Sequence, residues 1–393
     1  MSGSRSAVVV GYARTPFVRY CGRFAAVPAV DLGAHAIRAA LARAGVEAAD
    51  VQRVLGGHVL QGGAGQNPAR QAAVAAGIPL TTPASTLNAV CLSGVQAVAD
   101  GAALIEGGRV DVVVAFGMES MSLAPHVAPM RSGQRYGALE LVDTLEHDGL
   151  TDATERRSMG ASTEARNAGL GLARAEQDAW AAASHRRAAA SEQWLAGEVE
   201  PFAVPTRKGT ELVTSDDGVR PDTTAEGLAR LRPAFSADGG ITAGNASQVT
   251  DGAAALVLTS ARWAAARGLA PLAEVLATSF VAGPDVSLHA QPAAAVERVL
   301  AEVGASAHEL ASLEVNEAFA AVAVHSTRLL GVDPERVNPH GGAIALGHPL
   351  GASGARIVGT LARTLVDVGA GSLGAAALCG GGGQGAAVLL RSL

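Results

Sequence analysis

Two stretches of the chain share the same order of apolar and polar positions. After Gly94, apolar side chains recur at helical spacing until a Gly-Gly pair stops the pattern, and the same happens after Gly354 until a single glycine. Residues three and four apart share one face of a helix, so each stretch predicts an amphipathic helix. Short apolar runs follow at Asp111 to Phe116 and at Leu373 to Leu378. These runs predict strands that are buried on both faces.

The likeness between the two stretches belongs to a longer repeat. Residues 34–57 align with residues 293–316 at an offset of 259, and Ser93-Gly94 align with Ser353-Gly354 at an offset of 260. A nearly constant offset over two separate blocks indicates a duplication. Each copy has the order helix, strand, intervening stretch, helix, strand. The sequence therefore predicts two α/β halves related by internal pseudo-symmetry.

The region between the copies differs in composition. It contains paired arginines, most of the Asp-Gly turns and two of the three tryptophans. We interpret it as a loop domain inserted into the first half. Arg174 to Leu195 contains neither Gly nor Pro and predicts a helix, and Asp251 to Thr259 predicts a buried strand that returns to the first half. The predicted division is residues 1–118 with 251–270 for the N-terminal half, 119–250 for the loop domain and 271–393 for the C-terminal half.

Composition refines this picture and excludes some functions. The chain of 393 residues is 49% hydrophobic but only 3% aromatic, and it has 48 glycines. Its cores must therefore be built from closely packed Ala, Val and Leu, which suits helices lying on parallel strands. The formal net charge is −6 and there is no basic run. This charge argues against binding to nucleic acid or to a membrane surface.

The cysteines and the termini favour a cytoplasmic enzyme. The three cysteines cannot all pair, and no C-x-x-C metal motif is present. Reduced thiols fit better than a disulfide framework. The N-terminal residues MSGSRS pass directly into an apolar, strand-like run, without the longer apolar region of a signal peptide. No apolar run approaches the length of about 20 residues that spans a bilayer.

Cys91 and His348 are the first candidates for chemistry. Cys91 is predicted to open the first of the two helices, where backbone N–H groups favour a thiolate and lower its pKa. The alternative is a small buried apolar residue. His348 lies in a run with five nearby glycines, which let backbone approach an occupied site closely. A neutral imidazole near Cys91 would act as the base that makes the thiolate.

Cys379 and Asn316 end two predicted strands. Cys379 precedes a Gly-Gly-Gly-Gly-Gln-Gly run, which predicts a tight turn or a nest of N–H donors aimed at a thioester oxyanion. A phosphate-binding loop is the alternative, although the run lacks G-K-[ST]. Asn316 and Glu317 follow the strand Ser312 to Val315, at the end where α/β active sites form. Asn316 is alternatively a helix N-cap.

Three weaker signals complete the set. His340 is interpreted as a loop histidine. Residues 247–252 form a turn-rich segment that is a candidate ligand contact. A methionine-rich surface is predicted to contact either another subunit or the substrate; its members are Met118, Met121, Met130 and His126.

Together these segments resemble the thiolase family, over essentially the whole chain. The resemblance rests on NAVCLSG around Cys91, NPHGGAIALGHPLGASG around His348, CGGGGQG from Cys379 and NEAF from Asn316. Residues 65–73 and 148–153 are more similar to acetyl-CoA acetyltransferases than to long-chain β-oxidation thiolases. The resemblance implies a thiolase-like α/β fold, in which two duplicated halves pack in α-β-α-β-α layers and carry an inserted loop domain.

The resemblance also implies a reaction. Cys91, deprotonated by His348, attacks acetyl-CoA and releases CoA. Cys379 then takes a proton from the methyl carbon of a second acetyl-CoA, and the carbanion attacks acetyl-Cys91 to give acetoacetyl-CoA. The backbone N–H groups of Cys91 and Gly381 would form one oxyanion site, and His348 with a water held by Asn316 the other.

Binding partners follow from the same matching. The partners implied are acyl-CoA and CoA, with neither nucleic acid nor membrane, and with no further cofactor and no metal. The family assembles as dimers or tetramers, and residues 118–135 resemble its tetramer-forming loop. The implied CoA contacts lie mainly in the loop domain; they are Leu150, Met159, Arg220, Phe235, Ala243, Ser247 and Phe319.

The chain departs from the family pattern near the expected acyl pocket. Ser158 stands where acetoacetyl-type members usually have His, residues 247–252 are closer to degradative members, and residues 284–292 replace a loop that borders the substrate. A 3-oxoacyl-CoA thiolase for longer chains is therefore the nearest alternative. A ketosynthase shares the fold, but Cys379 argues against it. A non-catalytic scaffold is disfavoured because Cys91, Asn316, His348 and Cys379 are all present.

Overall fold

A computed structural model describes residues 5–133 and 135–393. The first four residues, part of the N-terminal segment considered above, and Gln134 of the predicted tetramer-forming loop lie outside these ranges. In the described parts, no helix is both long and apolar enough to cross a membrane.

The strands follow in chain order. They are β1 (Ala7–Arg14), β2 (Val18–Arg19), β3 (Arg53–Gly57), β4 (Ala84–Leu87), β5 (Val112–Glu119), β6 (His126–Val127), β7 (Val142–Asp143), β8 (Thr151–Asp152), β9 (Arg157–Ser158), β10 (Phe202–Thr206), β11 (Gly209–Val213), β12 (Thr250–Ser260), β13 (Ala273–Ala282), β14 (Leu310–Val315), β15 (Leu373–Gly380) and β16 (Gln384–Ser392).

The α-helices lie between them. They are α1 (Ala29–Ala44), α2 (Pro68–Ala75), α3 (Ser93–Glu106), α4 (Met159–Asn167), α5 (Arg174–Ala190), α6 (Glu192–Ala196), α7 (Ala225–Leu228), α8 (Ala261–Ala266), α9 (Gln291–Val303), α10 (Ala320–Leu330), α11 (Ala343–Leu346) and α12 (Leu350–Val368).

The main sheet shows the duplication directly. Its ten strands have the order β14-β15-β16-β13-β1-β12-β5-β3-β4, with β2 paired to β12. Counted outward from the middle of the sheet, the first half contributes β1-β12-β5-β3 and the second half contributes β13-β16-β15-β14 in the opposite direction. The two halves join where β1 and β13 pair antiparallel, at Val8 with Glu274 and Val9 with Ala273. The predicted pseudo-symmetry of two α/β halves is therefore present in the strand order.

Parallel pairing is less extensive than the composition suggested. The pairs β3·β4, β3·β5 and β14·β15 are parallel, whereas β12 and β16 pair antiparallel with both of their neighbours. The reason is connectivity, because a short glycine turn joins β15 to β16 and a tight turn permits only an antiparallel neighbour. These strands are nevertheless buried on both faces.

Alternate side chains of each strand enter different cores. In β1, Val8 and Val10 pack in an outer cluster with α1, whereas Val9 and Tyr12 pack in a central cluster with α3 and α12. A third cluster places α9 and α10 on the outer face of β13 to β16. The two halves of the main sheet therefore lie on either side of α3 and α12, with further helices on their outer faces. The layers are helix, sheet, helix, sheet, helix, and alternate side chains of a strand enter the layers on its two sides.

The central layer consists of α3 and α12, which pack closely at their N-terminal ends. A Cβ atom placed on Gly94 would lie 2.5 Å from the backbone nitrogen of Ala355, and one placed on Gly354 would collide with the nitrogen of Val95. These glycines are the duplicated Ser-Gly positions of the sequence repeat. The missing side chains allow the two backbones to touch, which brings the starts of both helices to one place.

The region between β5 and β12 adds short two-stranded ladders and helices outside the main sheet. The single helix predicted over Arg174 to Leu195 is wrong, because α5 and α6 are separated at Ser191. The Ser191 N–H bonds to carbonyls of the last turn of α5, and Trp194 of α6 stacks on His340 with ring centroids 3.6 Å apart. Packing of Trp194 against the C-terminal half thus redirects the chain.

Replacing Gly354 with Ala tests the helix contact. The added methyl group must push the two backbones apart, so we expect a loss of about 1–3 kcal/mol in the free energy of unfolding. Gly169→Ala is the matched control, since its Cβ would meet nothing within 4 Å. Urea unfolding of both variants checks this, and equal midpoints would contradict the role assigned to the contact.

Candidate active site

Three of the predicted site residues lie at or just after the ends of strands, and the fourth lies between two helices. Cys91 follows β4, Asn316 follows β14 and Cys379 lies at the end of β15, while His348 lies between α11 and α12. Because β14 and β15 are parallel neighbours, Asn316 and Cys379 lie together at one edge of the sheet, and the contact between the N-terminal ends of α3 and α12 brings Cys91 and His348 to the same place. Cys91, His348 and Cys379 line one cavity of about 310 Å³.

A strained turn presents Cys91. Val90 has a left-handed backbone with φ of 53°, which is unusual for a β-branched residue. The turn is held by Asn88, whose Oδ1 accepts from the Val90 N–H at 3.0 Å. Ser93 closes it, because its Oγ accepts from the Ala89 N–H at 2.9 Å and donates to the Val90 carbonyl at 2.6 Å. The helix begins at Ser93, so the prediction that Cys91 opens it is wrong by two residues.

The expected low pKa of Cys91 is also not found. Burial raises the pKa of the Cys91 thiol to about 12, and backbone hydrogen bonds from Gly381 and from Cys91 itself lower it only in part. The Cys91 sulfur is removed from water and lies two residues before the first residue of α3. The N-terminus of α3 therefore does not offset the rise in pKa that burial causes. The same two backbone groups lie where the sequence predicted an oxyanion site.

His348 is a neutral base with one free nitrogen. The Ser353 hydroxyl donates to the Pro349 carbonyl at 3.0 Å, so it must accept from His348 Nδ1, which lies 2.6 Å away. The proton is thereby assigned to Nδ1, and Nε2 keeps its lone pair. Nε2 is buried and has no hydrogen-bond partner in the structure. Burial lowers the pKa of His348 to about 4, so the imidazole is uncharged at neutral pH.

Cys379 is the most deeply buried of the three reactive side chains. Burial and the neighbouring Cys91 both raise the pKa of its thiol. The glycines after it form the turn between β15 and β16, with φ of 78° at Gly382 and 69° at Gly383. The alternative of a phosphate-binding loop is wrong, because such a loop precedes a helix and this one joins two strands.

Asn316 lies beside the histidine and is fully buried. Its Nδ2 is 3.5 Å from His348 Nδ1, and its Oδ1 has no hydrogen-bond partner in the structure. The N-cap alternative is wrong, since α10 begins at Ala320 with Phe319 in the capping position. An unpaired buried amide oxygen next to a reactive histidine is a place where a bound water or substrate would be held.

Comparison with known proteins agrees with this geometry. The family profile "Thiolase, N-terminal domain" matches residues 7–262 and "Thiolase, C-terminal domain" matches residues 269–392. The chain is 51% identical to a probable acetyl-CoA acetyltransferase of Mycolicibacterium smegmatis, over 98% of this chain and 100% of that protein. It is 46% identical to an acetyl-CoA acetyltransferase of Chromobacterium violaceum, over 98% of each chain. The chain belongs to the thiolase family.

A solved thiolase has the same fold. The crystal structure of a thiolase from Ascaris suum in complex with coenzyme A superposes with a TM-score of 0.92 at 37% identity, covering 99% of this chain and 100% of that one. The resemblance stated from the motifs and the thiolase-like fold class are therefore confirmed. The chain is an acyltransferase of this family.

The cavity of this thiolase contains most of the predicted CoA contacts. Leu150, Met159, Phe235, Ser247 and Phe319 line it, together with Gly381. The two remaining residues, Arg220 and Ala243, are exposed and lie outside the cavity wall. Among the described residues, no group of His, Cys, Asp or Glu is arranged to hold a metal ion.

Other residues of the wall were missed or only suggested by the sequence. Met121 lines the cavity, whereas Met118 is core and Met130 is exposed, so the methionine-rich surface is in fact three different environments. Leu288 also lines it and comes from the 284–292 segment, where the departure from the family pattern was the only signal. Ser158 caps α4 by accepting from the Ala161 N–H at 3.2 Å.

The protonation states predict how Cys91 reacts with iodoacetamide. His348 stays neutral above about pH 5 and the Cys91 thiol stays protonated below about pH 11, so the pair keeps one state between these limits. Arg356, Cys379 and Glu119 are the other titratable or charged groups that act on the pair. Burial raises the pKa of Glu119 to about 7, but Glu119 has the smallest of the influences on the pKa of Cys91. We expect the alkylation rate to change by less than about threefold from pH 6 to 9, where a free thiol would gain roughly tenfold per unit below its pKa.

A Cys21→Ser background keeps this measurement clean, because Cys21 is exposed and Cys379 is buried. In His348→Ala the base is lost, so the alkylation rate should be lower than in the wild type. The remaining rate should increase with pH. A wild-type rate that climbs steeply through pH 8 would contradict the assigned states.

Proposed function

We propose that this thiolase is an acetyl-CoA C-acetyltransferase that joins two acetyl-CoA molecules into acetoacetyl-CoA and CoA, reversibly, through an acetyl-Cys91 intermediate. The main support is the meeting of Cys91, Cys379 and the unpaired Nε2 of His348 in one apolar cavity. The names of the relatives point to the same activity.

In the first step, His348 Nε2 takes the Cys91 proton as the sulfur attacks the thioester carbonyl. The oxyanion that forms accepts hydrogen bonds from the N–H groups of Cys91 and Gly381, the groups that already face the sulfur. The leaving CoA thiolate takes the proton of Cys379 and departs as a thiol. This leaves acetyl-Cys91, an imidazolium at His348 and a thiolate at Cys379.

In the second step, the Cys379 thiolate takes a proton from the methyl carbon of the second acetyl-CoA. Burial makes this thiolate a strong base, which suits a weakly acidic C–H bond. The imidazolium of His348, with a water held by Asn316, stabilises the enolate oxygen. The carbanion then attacks acetyl-Cys91, and the released Cys91 thiolate regains its proton from His348. All proton transfers balance without any cofactor beyond the CoA thioesters.

We place CoA along the loop-domain side of the cavity, against Leu150, Met159, Phe235, Ser247 and Phe319, with Arg220 and Ala243 further out along the same path. The apolar wall suits the pantetheine arm and the acyl group, and the exposed residues suit the polar end of CoA. The Ascaris suum thiolase was solved in complex with coenzyme A, which supports this substrate class.

We also propose that the enzyme is a homo-oligomer, a dimer or a tetramer. The support is an exposed apolar surface around β6 and β7, which includes Leu123, Val127, Met130, Leu139 and Leu141. Patches of this kind on a folded protein mark contact surfaces, and light scattering would measure the molar mass. A cytoplasmic location and a place in fatty acid metabolism stay predictions.

Acetylation of Cys91 tests the proposed function. Incubation with acetyl-CoA should add one acetyl group to the protein, detected by intact mass, and Cys91→Ala should abolish it. Cys379→Ala should still be acetylated at Cys91, because the leaving CoA thiolate can take its proton from the imidazolium of His348, but it should lose condensation by at least about 100-fold, because the α-proton has no base. No adduct and no released CoA in the wild type would exclude the mechanism.

The acyl-length profile separates this function from the 3-oxoacyl-CoA thiolase alternative. Met121, Leu288 and Leu350 narrow the cavity with branched or long side chains, so we expect thiolysis of acetoacetyl-CoA to be preferred over C8 substrates. Leu288→Ala should shift the ratio of kcat/KM toward the longer chain by roughly tenfold, the usual effect of a few methylenes. A wild-type preference for C8 or longer would favour the alternative.

A further inference from the structure

The segment that contains His348 has little regular structure of its own. Between α11 and α12 the backbone turns through Gly347 with φ of 111°. The His348 N–H contacts the Gln248 carbonyl and the Thr250 hydroxyl, both at 3.2 Å. Such a segment keeps a fixed position only if groups outside it accept its backbone N–H donors.

Glu317 supplies one such acceptor on the N-terminal side of His348. This carboxylate is fully buried, and its Oε2 accepts from the Ile344 N–H at 3.0 Å and from the Ser184 hydroxyl at 2.7 Å. Its Oε1 accepts from Trp180 Nε1 and from Asn338 Nδ2, both at 2.9 Å. Each oxygen thus receives two donors, the arrangement that only a carboxylate satisfies.

Glu119 supplies the other acceptor on the C-terminal side. It ends β5 and is fully buried, and its Oε2 accepts from the Gly351 N–H at 2.9 Å and from the Val59 N–H at 3.1 Å. Its Oε1 accepts from the Leu60 N–H at 3.0 Å. The nearby His58 is neutral, since burial lowers its pKa to about 4. Among the described residues, three backbone N–H groups donate to Glu119 and no cation pairs with it, and burial raises the pKa of this group to about 7. Glu119 therefore holds backbone groups in place and is not half of an ion pair.

We propose that Glu317 and Glu119 are positioning residues that fix His348 from both sides, Glu317 through the Ile344 N–H and Glu119 through the Gly351 N–H. Glu119 belongs to the first half of the molecule and Glu317 to the second. His348 is therefore fixed in position relative to both Cys91 and Cys379. Neither carboxylate touches the reacting atoms. The inference rests on the proposed role of His348 as the base for Cys91.

A glutamine at position 317 cannot reproduce these bonds. Asn338 cannot turn its amide to compensate, because its Oδ1 accepts from the Val315 N–H and its Nδ2 donates to the Val315 carbonyl, both at 2.8 Å. The new amide NH2 must therefore face Ser184 and Ile344. The hydroxyl can rotate to accept, but the backbone N–H of Ile344 cannot, and it loses its partner.

The test uses the Cys21→Ser protein and the variants Glu317→Gln and Glu119→Ala. Alanine is needed at position 119, because a glutamine there could keep its carbonyl oxygen on the Gly351 and Val59 N–H groups. A displaced His348 should slow acetylation of Cys91 by on the order of 10- to 100-fold, the usual cost of a misplacement near 1 Å, with KM changed by less than about twofold. The rate of Cys91 alkylation should lose its flat dependence on pH and rise between pH 6 and 9, as in His348→Ala.

Glu198→Gln is the matched control. Glu198 is also fully buried, but it pairs with Arg14 and Thr360 and does not touch the segment from Ile344 to Gly351. It should lower thermal stability and leave the flat pH dependence intact. If Glu317→Gln does not fold, Ser184→Ala replaces it. That variant removes one donor to Glu317 and the acceptor of the Gly342 N–H, so a smaller change of the same kind is expected.

The outcomes distinguish the two proposals. If the wild type acetylates Cys91 but the Glu317→Gln and Glu119→Ala variants keep its acetylation rate and flat pH dependence, the positioning role is wrong and the proposed function stands. If the control loses the flat dependence as well, the effect is general loss of packing and the positioning role is again wrong. If the wild type forms no acetyl-Cys91, the proposed function itself fails.

Discussion

The close contact of α3 and α12 is the constraint on which the rest of the molecule depends. Each half contributes one helix to the central layer, and both helices are covered by sheet on either side. Where they approach, Gly94 and Gly354 leave no room for a side chain. This contact sets the distance between Cys91, which precedes one helix, and His348, which precedes the other.

The site is built to be neutral at rest. Desolvation raises the pKa of Cys91 and lowers that of His348, so neither carries charge near neutral pH. The oxygens of the nearby Glu119 and Glu317 accept from N–H and O–H donors, and the buried guanidinium of Arg356 pairs with Glu314. In the proposed reaction, charge is created only as a thioester reacts, at a place where N–H donors already point. A permanently ionised thiolate would instead be exposed to alkylation and oxidation.

Much of the fold followed from the sequence because its signals are local or repeated. Helical spacing after Gly94 and Gly354 located α3 and α12, and the offset of the repeat predicted the paired halves. The left-handed turn at Val90, the start of α3 two residues after Cys91 and the break at Ser191 depend on contacts with distant residues, and no local pattern shows these. The pKa of Cys91 was misjudged for the same reason, since desolvation is a property of the packed molecule. Leu288 and the donors around Glu317 became visible only once remote segments met.

The duplicated serines in the first turns of α3 and α12 are the same residue type with different contacts. Ser93 closes the turn that presents Cys91, and Ser353 holds the proton-bearing side of His348. Two identical halves in this arrangement would offer two equivalent sites across a two-fold axis. In the proposed reaction the equivalent positions serve a single site, where Cys91 of one copy carries the acyl group and Cys379 of the other carries the proton. Neither copy would then be active without the other.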